Sequence, residues 1–351
     1  MSKEEIQKHV NEISNKYVPG LLTADEKTMH EIADLPIQDI IVIYNNAIWA
    51  AKNRIFHDLK PDMSAVETVR KTVLKKIREA EVLWTVIDRV TNAPFIDDTD
   101  GTWLFSEKEI ADECIDHFRQ QYRTSLEVTE IPGGEIEEFL GMTAYARGAS
   151  SFIIDNGRHY LTVNAEEIAV RPDFSAFTSA KNPVVNPVLF RSIAKFQQER
   201  LWNVNYKGRT EKLRVFEADM IRAFCEARLI VPVKTTSKSG STVPIVSTSE
   251  PGSTDTFIST GTIICIPSLV NGDGHKATPV FTDWKEMSTV YPCNEWDGWV
   301  WTMDDLLSAP DDTIVVNCKS LGFVATKKLL TQMKKTNATE LQKAGADGKD
   351  A

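Results

Sequence analysis

The sequence predicts an α+β protein of two related units, each a mixed β-sheet with helices packed against it. Its length of 351 residues exceeds what one hydrophobic core usually supports, so two domains are expected. Segments with the helical period alternate with short apolar runs typical of strands. Short stretches of the first half also recur in the second half in the same order, which indicates an internal repeat.

The internal repeat is clearest where a strand runs into a helix. Leu104-Phe105-Ser106 resembles Val280-Phe281-Thr282, and in both segments the hydroxyl residue can cap the first turn of the following helix. Four further matches pair residues 81–86 with 227–232, 137–140 with 304–307, 153–156 with 314–317, and 165–168 with 326–329. Because all of them occur in the same order, we expect the two units to be copies of one fold.

The predicted boundaries follow from prolines and from composition. Leu35-Pro36 opens an apolar periodic segment, and three prolines between Pro172 and Pro187 indicate a linker. Residues 234–260 hold 14 Ser or Thr, which predicts a long, mobile β-excursion. We therefore predict a helical extension at 1–34, a first unit at 35–172, a linker at 173–186, a second unit at 187–336 and a disordered tail at 337–351.

Charge and cysteine content limit the classes of protein. Lys plus Arg number 40 against 50 Asp plus Glu, a net charge of −10, which disfavours a protein that wraps nucleic acid or anionic lipid. The five cysteines form no CxxC pair, which is typical of free thiols in a reducing compartment. The N-terminus lacks the apolar core of a signal peptide, so we expect a cytoplasmic protein with no membrane segment.

Two segments contain residue types that bind metals. Asp98, Asp100, Gly101 and Glu107 fit four positions of a calcium loop, but Ile96 stands at its first position, so we interpret the Asp-Gly sequence as a hairpin turn. Cys114 and His117 lie three residues apart on a predicted helix and could share a metal. No second Cys/His pair accompanies them, so we expect helix packing instead, and neither a metal nor a cofactor.

Catalytic signatures are absent from the sequence. It contains no GxSxG elbow, no GxxxxGK[ST] loop and no HExxH helix. Glu137-Glu138 and Asp304-Asp305 could act as acid and base, but both precede apolar residues and are typical of the exposed side of a helix start. We therefore predict no catalytic residues and disfavour an enzyme.

Three segments resemble the SseB family, named for an enhanced serine sensitivity phenotype. They are Ile263-Ile264-Cys265-Ile266-Pro267, Thr278-Pro279-Val280-Phe281-Thr282-Asp283-Trp284 and Thr313-Ile314-Val315-Val316-Asn317. They are similar to a strand, a strand-to-helix turn and a strand ending in Asn in that family's N-terminal domain. The resemblance implies two tandem, divergent SseB-like domains in a bacterial protein, with no cofactor and no established catalytic residues.

Three tryptophans are the candidate binding residues. Trp296, Trp299 and Trp301 fall within six residues, and on a strand Trp299 and Trp301 would face the same side. Tryptophan is enriched where protein partners dock. The alternative is that two of the three fill the core of the second unit. We expect Trp296, which lies beside a turn, to be the exposed one.

The basic residues are concentrated in one part of the second unit. Residues 181–234 carry 11 basic and 5 acidic side chains, interleaved with aromatics, whereas residues 88–138 carry 4 basic and 14 acidic side chains. Basic and aromatic residues together could follow a nucleic-acid backbone. The aromatics occur at helical core spacing, so a solvated basic face is the favoured interpretation.

These observations favour a non-catalytic protein-interaction or regulatory module with a protein partner. One alternative is an enzyme or small-ligand binder with its site between the two units. The other is a weak nucleic-acid binder acting through residues 181–234, although nucleic acid is the disfavoured partner.

Overall fold

The computed structural model of the chain describes residues 3–55, 61–121, 123, 125–178, 183–237, 253–259 and 262–347. The chain forms two units. The first consists of Met1–Ile87, Pro94–Ala144 and Ala149–Val170, and the second of Asp88–Ala93, Tyr145–Gly148 and Arg171–Ala351. Each contains a mixed sheet together with helices, so the predicted α+β class is confirmed.

The first half of the chain begins with helices and continues with alternating strands and helices. In chain order its elements are α1 (Lys3–Leu22), α2 (Glu26–Asp34), α3 (Ile37–Lys52), α4 (Met63–Arg78), β1 (Val82–Asp88), β2 (Ala93–Pro94), β3 (Gly101–Phe105), α5 (Lys108–Gln120), β4 (Leu126–Pro132), α6 (Ile136–Tyr145), β5 (Ser151–Ile154), β6 (Leu161–Asn164) and α7 (Ala165–Ile168). The predicted extension at residues 1–34 is helical in its described part. It packs closely on α3, because α1 buries Val10, Ile13 and Leu21 along one face.

The first sheet has the strand order β2-β1-β3-β5-β6, and β4 also pairs with β1. β1 and β3 are antiparallel with Trp84 opposite Phe105, and β3 and β5 are parallel with Gly101 opposite Ser151. β6 returns antiparallel to β5. The parallel pair is connected through α5, β4 and α6, a crossover of the length that parallel pairing requires.

The second half repeats this order from α3 onward and adds one strand. Its elements are α8 (Pro187–Leu201), α9 (Arg209–Glu226), β7 (Leu229–Ser237), β8 (Ser253–Ser259), β9 (Thr262–Val270), β10 (Lys276–Val280), α10 (Trp284–Ser288), β11 (Asp297–Trp301), α11 (Met303–Leu307), β12 (Thr313–Val316), β13 (Phe323–Thr326) and α12 (Lys327–Asp347). The strand order is β11-β7-β9-β10-β12-β13, with β8 also paired to β9. α8 begins at Pro187, the predicted first residue of the second unit, with Asn186 before it.

Both sheets share one set of strand pairings. β10 and β12 are parallel, as β3 and β5 are, and β13 is antiparallel to β12, as β6 is to β5. A bridge between Ile230 and Phe281 corresponds to the pair of Trp84 and Phe105. β11 lies on β7 as β4 lies on β1. The second sheet differs by β8, an additional strand that pairs with β9.

Three expectations from the sequence concern this half of the chain. The Ser/Thr-rich excursion at 234–260 contributes the end of β7 and all of β8, while residues 238–252 and 260 lie outside the described residues. The expectation of a disordered tail is wrong for residues 337–347, which continue α12; residues 348–351 lie outside the described residues. Of the predicted linker at 173–186, residues 179–182 are also outside them.

The same turn closes the parallel strand pair in both sheets. Asp155 follows β5 with φ 57°, and Asn317 follows β12 with φ 46°, a left-handed conformation that Asp and Asn tolerate better than other side chains. Asp155 accepts the backbone N–H of Ser106 at 2.7 Å, and Asn317 accepts that of Thr282 at 3.0 Å. The same side chains also contact the two hydroxyls: Ser106 Oγ donates to Asp155 Oδ2 at 2.8 Å, and Asn317 Nδ2 donates to Thr282 Oγ1 at 2.9 Å.

These turns also correct the register of the repeat. Asp155 corresponds to Asn317, whereas the sequence match placed Asp155 opposite Val316. The strands that follow show the same one-residue offset, because Ile154 faces Leu161 and Val316 faces Phe323. Short apolar runs cannot determine register by themselves, since adjacent matches look equally good until hydrogen bonds select one.

No helix in the described part of the chain combines the length and the apolar character needed to cross a bilayer.

The turns at Asp155 and Asn317 lead to a prediction about the stability of the protein. Asp155 is fully buried, and burial raises the pKa of its carboxyl to about 6. A raised carboxyl pKa means that the folded state binds the proton more tightly, so the ionised form costs stability as pH rises from about 4 to above 6. Asp155→Asn removes this cost, and its amide can donate to Ser106 Oγ as Asn317 donates to Thr282. We expect the variant to be more stable at pH 7.5 by on the order of 1–3 kcal/mol.

Urea unfolding at pH 5 and pH 7.5 checks this prediction. The advantage of Asp155→Asn should grow by about 1 kcal/mol between the two values, because part of the wild-type carboxyl is already protonated at pH 5. Asn317→Asp is the reciprocal control and should lose stability most at pH 7.5. An Asp155→Asn variant that is no more stable than the wild type at either pH contradicts the idea.

Candidate functional site

The three tryptophans lie on or beside β11, at one end of the described sheet of the second unit. β11 pairs with β7, and Trp299 lies opposite Val231 while Trp301 lies opposite Leu229. Alternation along the strand puts Trp299 and Trp301 on one face, as expected. We call β11 together with Trp296, Trp299 and Trp301 the aromatic edge.

The three side chains differ in exposure. Trp299 is 41% exposed, whereas Trp301 packs half-buried against the hydrophobic core of the unit. Trp296 is also half-buried, because its ring stands edge-on to Tyr291 at 5.0 Å and Lys234 Nζ lies 5.6 Å over its face. The expectation that Trp296 is the exposed residue is therefore wrong: Tyr291 and Lys234 cover it, and Trp299 is the exposed tryptophan of the three.

Gly298 allows β11 to lie close to the layer beneath it. A Cβ at this position would lie 2.6 Å from Cη2 of Trp284 and 2.7 Å from Cγ2 of Ile230, both closer than real Cβ contacts. Trp284 is buried at the start of α10, and Ile230 lies on β7. Gly298 and Val300 thus face Trp284, and Trp299 lies on the opposite face of the strand, which it shares with Trp301.

Cys114 and His117 line a cavity of about 500 Å³ in the first unit, together with Glu113 and Arg158. Arg158 and Glu113 form a bidentate ion pair at 2.8–2.9 Å. Burial raises the pKa of the Cys114 thiol to about 12, so it is protonated and a poor nucleophile at neutral pH. No group of three His, Cys, Asp or Glu side chains that could hold a metal ion occurs in the described ranges.

The calcium-loop candidate is a hairpin turn before β3. Asp97 organises it: its Oδ1 accepts the N–H groups of Thr99 at 2.8 Å and Gly101 at 3.0 Å, and its Oδ2 accepts Trp103 Nε1 at 3.1 Å. Asp100 takes φ 63° at the tip. The turn before β10 uses Asn271 in the same way, since its Oδ1 accepts the N–H of Asp273 at 3.0 Å. The hairpin interpretation is thus the one the structure shows.

The paired carboxylates occupy helix starts, as interpreted from the sequence. Glu137 and Glu138 are exposed in the first turn of α6. Asp305 forms a capping box with Thr302 at the start of α11, and Asp304 is ion-paired with Lys334. The Thr302 hydrogen bonds hold the pKa of Asp305 below its ordinary value, as expected of an ionised cap.

The basic segment at 181–234 uses its charges and rings within the unit. Phe190, Phe196 and Trp202 are buried, so their faces cannot stack on bases. Arg209 and Lys212 bind the buried carboxylate of Glu199 at 3.3 and 3.2 Å. These contacts agree with a structural role for these three aromatics and for part of the charge, whereas Tyr206 is 38% exposed.

Sequence reasoning missed the buried carboxylates around α10. Asp283 accepts the N–H of Glu286 and the hydroxyl of Thr282, both at 3.0 Å, and burial raises its pKa. Glu286 accepts Ser320 Oγ at 2.7 Å, and its pKa is raised by burial and by Asp283. The signal in the sequence is an acidic residue directly after the Val280-Phe281-Thr282 strand, which the helix-start interpretation accounts for only in part.

Comparison with known proteins identifies the domain that carries the aromatic edge. Residues 209–324 match the family model described as SseB protein N-terminal domain. This range runs from α9 into β13, covers about a third of the chain, and includes the three segments that resemble the family. No curated protein and no solved structure matches the chain.

Gly298 provides a test of how the aromatic edge is held. Gly298→Ala should destabilise the second unit by about 1–3 kcal/mol, because the added methyl overlaps Trp284 and Ile230 and forces β11 away from β7. Urea unfolding measures the loss, and hydrogen exchange of the β11 amides shows whether the strand detaches. Gly272→Ala is the matched control, since a Cβ there has no atom within 4 Å. Equal stability of the two variants contradicts the proposed packing.

Proposed function

We propose that this chain, whose residues 209–324 match the SseB protein N-terminal domain, is a non-catalytic protein-interaction module that binds its partner at the aromatic edge. One observation carries the proposal: Trp299, 41% exposed, projects from a strand at the end of the described sheet. An edge strand offers unpaired backbone N–H and C=O groups to a partner's extended segment. An exposed tryptophan beside them adds a large contact area at low entropic cost.

The charges around the aromatic edge are mixed. Lys234 Nζ lies 3.9 Å from Glu295, and Asp297 is exposed at the start of β11. A strongly polyanionic partner would meet carboxylates as well as the lysine here, so these groups favour a protein over nucleic acid. The enzyme or ligand site between the two units stays a prediction.

We also infer that the two units are divergent copies of one SseB-like domain. The inference is supported by the shared strand pairings and by the equivalent turns at Asp155 and Asn317. Only the second copy retains the aromatic edge, because β4 of the first unit carries Leu126, Val128 and Ile131 and no tryptophan. Partner binding through this edge is therefore a property of the second unit in our proposal.

We place this function in a bacterial cytoplasm. All five cysteines are free thiols, which supports a reducing compartment. Burial raises the pKa of four of them, Cys114, Cys225, Cys293 and Cys318, which protects these thiols from ready oxidation.

Site-specific cross-linking tests the proposal. With p-benzoylphenylalanine in place of Trp299, irradiation of cells expressing the full chain should give a covalent adduct with one protein. The same amino acid in place of Val324, which is 58% exposed on β13 at the other end of the sheet, should not. Trp299→Ala should weaken the affinity for the cross-linked protein by at least about tenfold, as expected for a central aromatic contact. Val324→Ala should leave the affinity unchanged.

Three outcomes would overturn the proposal. They are adducts of equal yield at both positions, an adduct with RNA or DNA instead of protein, and an affinity that Trp299→Ala does not change.

A further inference from the structure

A groove of about 490 Å³ runs between α1 and α3 in the first unit. Its apolar part consists of Val10 and Val18 from α1 and Ala50 from α3, which are buried. At its rim stand Trp49 and Ile55, which are 58% and 47% exposed. Two large apolar side chains beside one concave surface are typical of a site that receives an apolar group.

One wall of the groove is a row of side-chain amides. Gln7, Asn11 and Asn15 follow one another at four-residue intervals on α1, so they lie on one face with a rise of about 6 Å between neighbours. Gln7 Nε2 donates to Asn11 Oδ1 at 3.1 Å, which leaves Gln7 Oε1 to accept and Asn11 Nδ2 to donate toward a ligand. Each of these amides can donate and accept at once, as a peptide group does.

The groove carries no formal charge on its described lining. Its lining residues include no Asp, Glu, Lys or Arg, although 26% of the chain is charged. Burial lowers the pKa of His159, which also lines the groove, and so favours its neutral form. Asn46 Nδ2 donates to Ser14 Oγ at 2.7 Å, and Ser14 Oγ donates to the backbone oxygen of Val10 at 2.6 Å. A charged ligand would lose its hydration here without gaining a counter-ion.

We propose that this groove binds an extended, uncharged segment of a partner protein, with an apolar side chain against Trp49 and Ile55 and backbone groups hydrogen-bonded to Gln7, Asn11 and Asn15. An extended chain repeats every two residues at about 6.6–6.8 Å, close to the spacing of about 6 Å between the amides. Its backbone N–H and C=O groups need partners, which the amides supply.

A helical ligand fits this wall less well. The backbone groups of a helix are already bonded within the helix, so the amides would face side chains and lose hydrogen bonds to water without replacement. A single sugar ring is too short to reach three amides spread over about 12 Å of helix. The groove is separate from the aromatic edge, so the inference goes beyond the function proposed for the second unit.

A random library of dodecamer peptides, displayed on phage and selected against the full chain, tests this inference. We expect selected peptides to be uncharged around one aromatic or aliphatic residue, and to bind as synthetic fluorescein conjugates in an anisotropy titration. Trp49→Ala and Asn11→Ala should each raise the dissociation constant at least about tenfold. Both residues are exposed, so the variants should fold, which circular dichroism confirms.

Controls separate this site from other modes of binding. Trp299→Ala, at the aromatic edge, should leave the peptide affinity unchanged. Between 50 and 500 mM NaCl the dissociation constant should change by less than about twofold, because no ion pair forms. Two peptides should be compared, one N-methylated at the odd-numbered peptide bonds and one at the even-numbered bonds. One of them should lose binding and the other should keep it, because an extended chain turns every second N–H toward the amides.

Several results would overturn the inference. A library that yields no peptide whose binding depends on Trp49 excludes a peptide site in this groove. Helical peptides whose binding does not depend on which peptide bonds are N-methylated would assign the groove to a helix. Charged peptides with a steep salt dependence would assign it to an ionic ligand, and competition by 10 mM maltose would assign it to a saccharide.

Discussion

Each sheet depends on one residue that ties a parallel strand pair to the helix after it. Asp155 and Asn317 donate their own N–H to Leu104 and Val280 at 2.8 and 2.9 Å, which ends the ladder of the pair. Their side chains then accept the next free N–H, at Ser106 and Thr282. One side chain in a left-handed conformation therefore sets where the strand stops and where the following chain turns into a helix. In the first unit this side chain is the carboxyl of Asp155, whose burial in the ionised form lowers stability, and in the second unit it is the amide of Asn317.

In the second unit two carboxylates with raised pKa values, Asp283 and Glu286, lie at the start of α10, directly after the turn at Thr282. Asp283 is buried and Glu286 is partly buried, and their raised pKa values would suggest catalysis if taken alone. Their partners are the hydroxyls of Thr282 and Ser320 and the backbone of α10. The opposite charge of Arg147 offsets part of the burial. The hydrogen bonds of Asp283 thus cap α10, and that of Glu286 ties the helix to Ser320, which gives both acids a structural role.

Sequence reasoning reached the parts of this structure that local chemistry determines. The strand-to-helix turns after β3 and β10 have a local signature and were predicted from it. The predicted caps themselves are wrong, because the N-cap residues are Glu107 and Asp283. The hydroxyls of Ser106 and Thr282 bond instead to the side chains of Asp155 and Asn317. The one-residue offset at Asp155 was not predicted, since it is set by hydrogen bonds to Ser106, which is distant in sequence. The cover over Trp296 was missed in part for the same reason, because Lys234 lies on another strand. The groove was missed for the same reason: the spacing of Gln7, Asn11 and Asn15 is visible in the sequence, but Trp49 joins them only through packing of α1 on α3.

The net charge of −10 contributes little at the aromatic edge and at the groove. On α5, acidic side chains are paired locally, Asp112 with Lys108 and Asp116 with Arg119, and Glu113 is bound by Arg158. Exposed pairs of this kind contribute little to stability, and they leave a diffuse field that salt screens. The aromatic edge has mixed charge and the described lining of the groove has none, so neither proposed site would rely on that field for affinity. In the functions proposed above, charge would govern which partners approach, while backbone groups and indole rings would determine which of them stay bound.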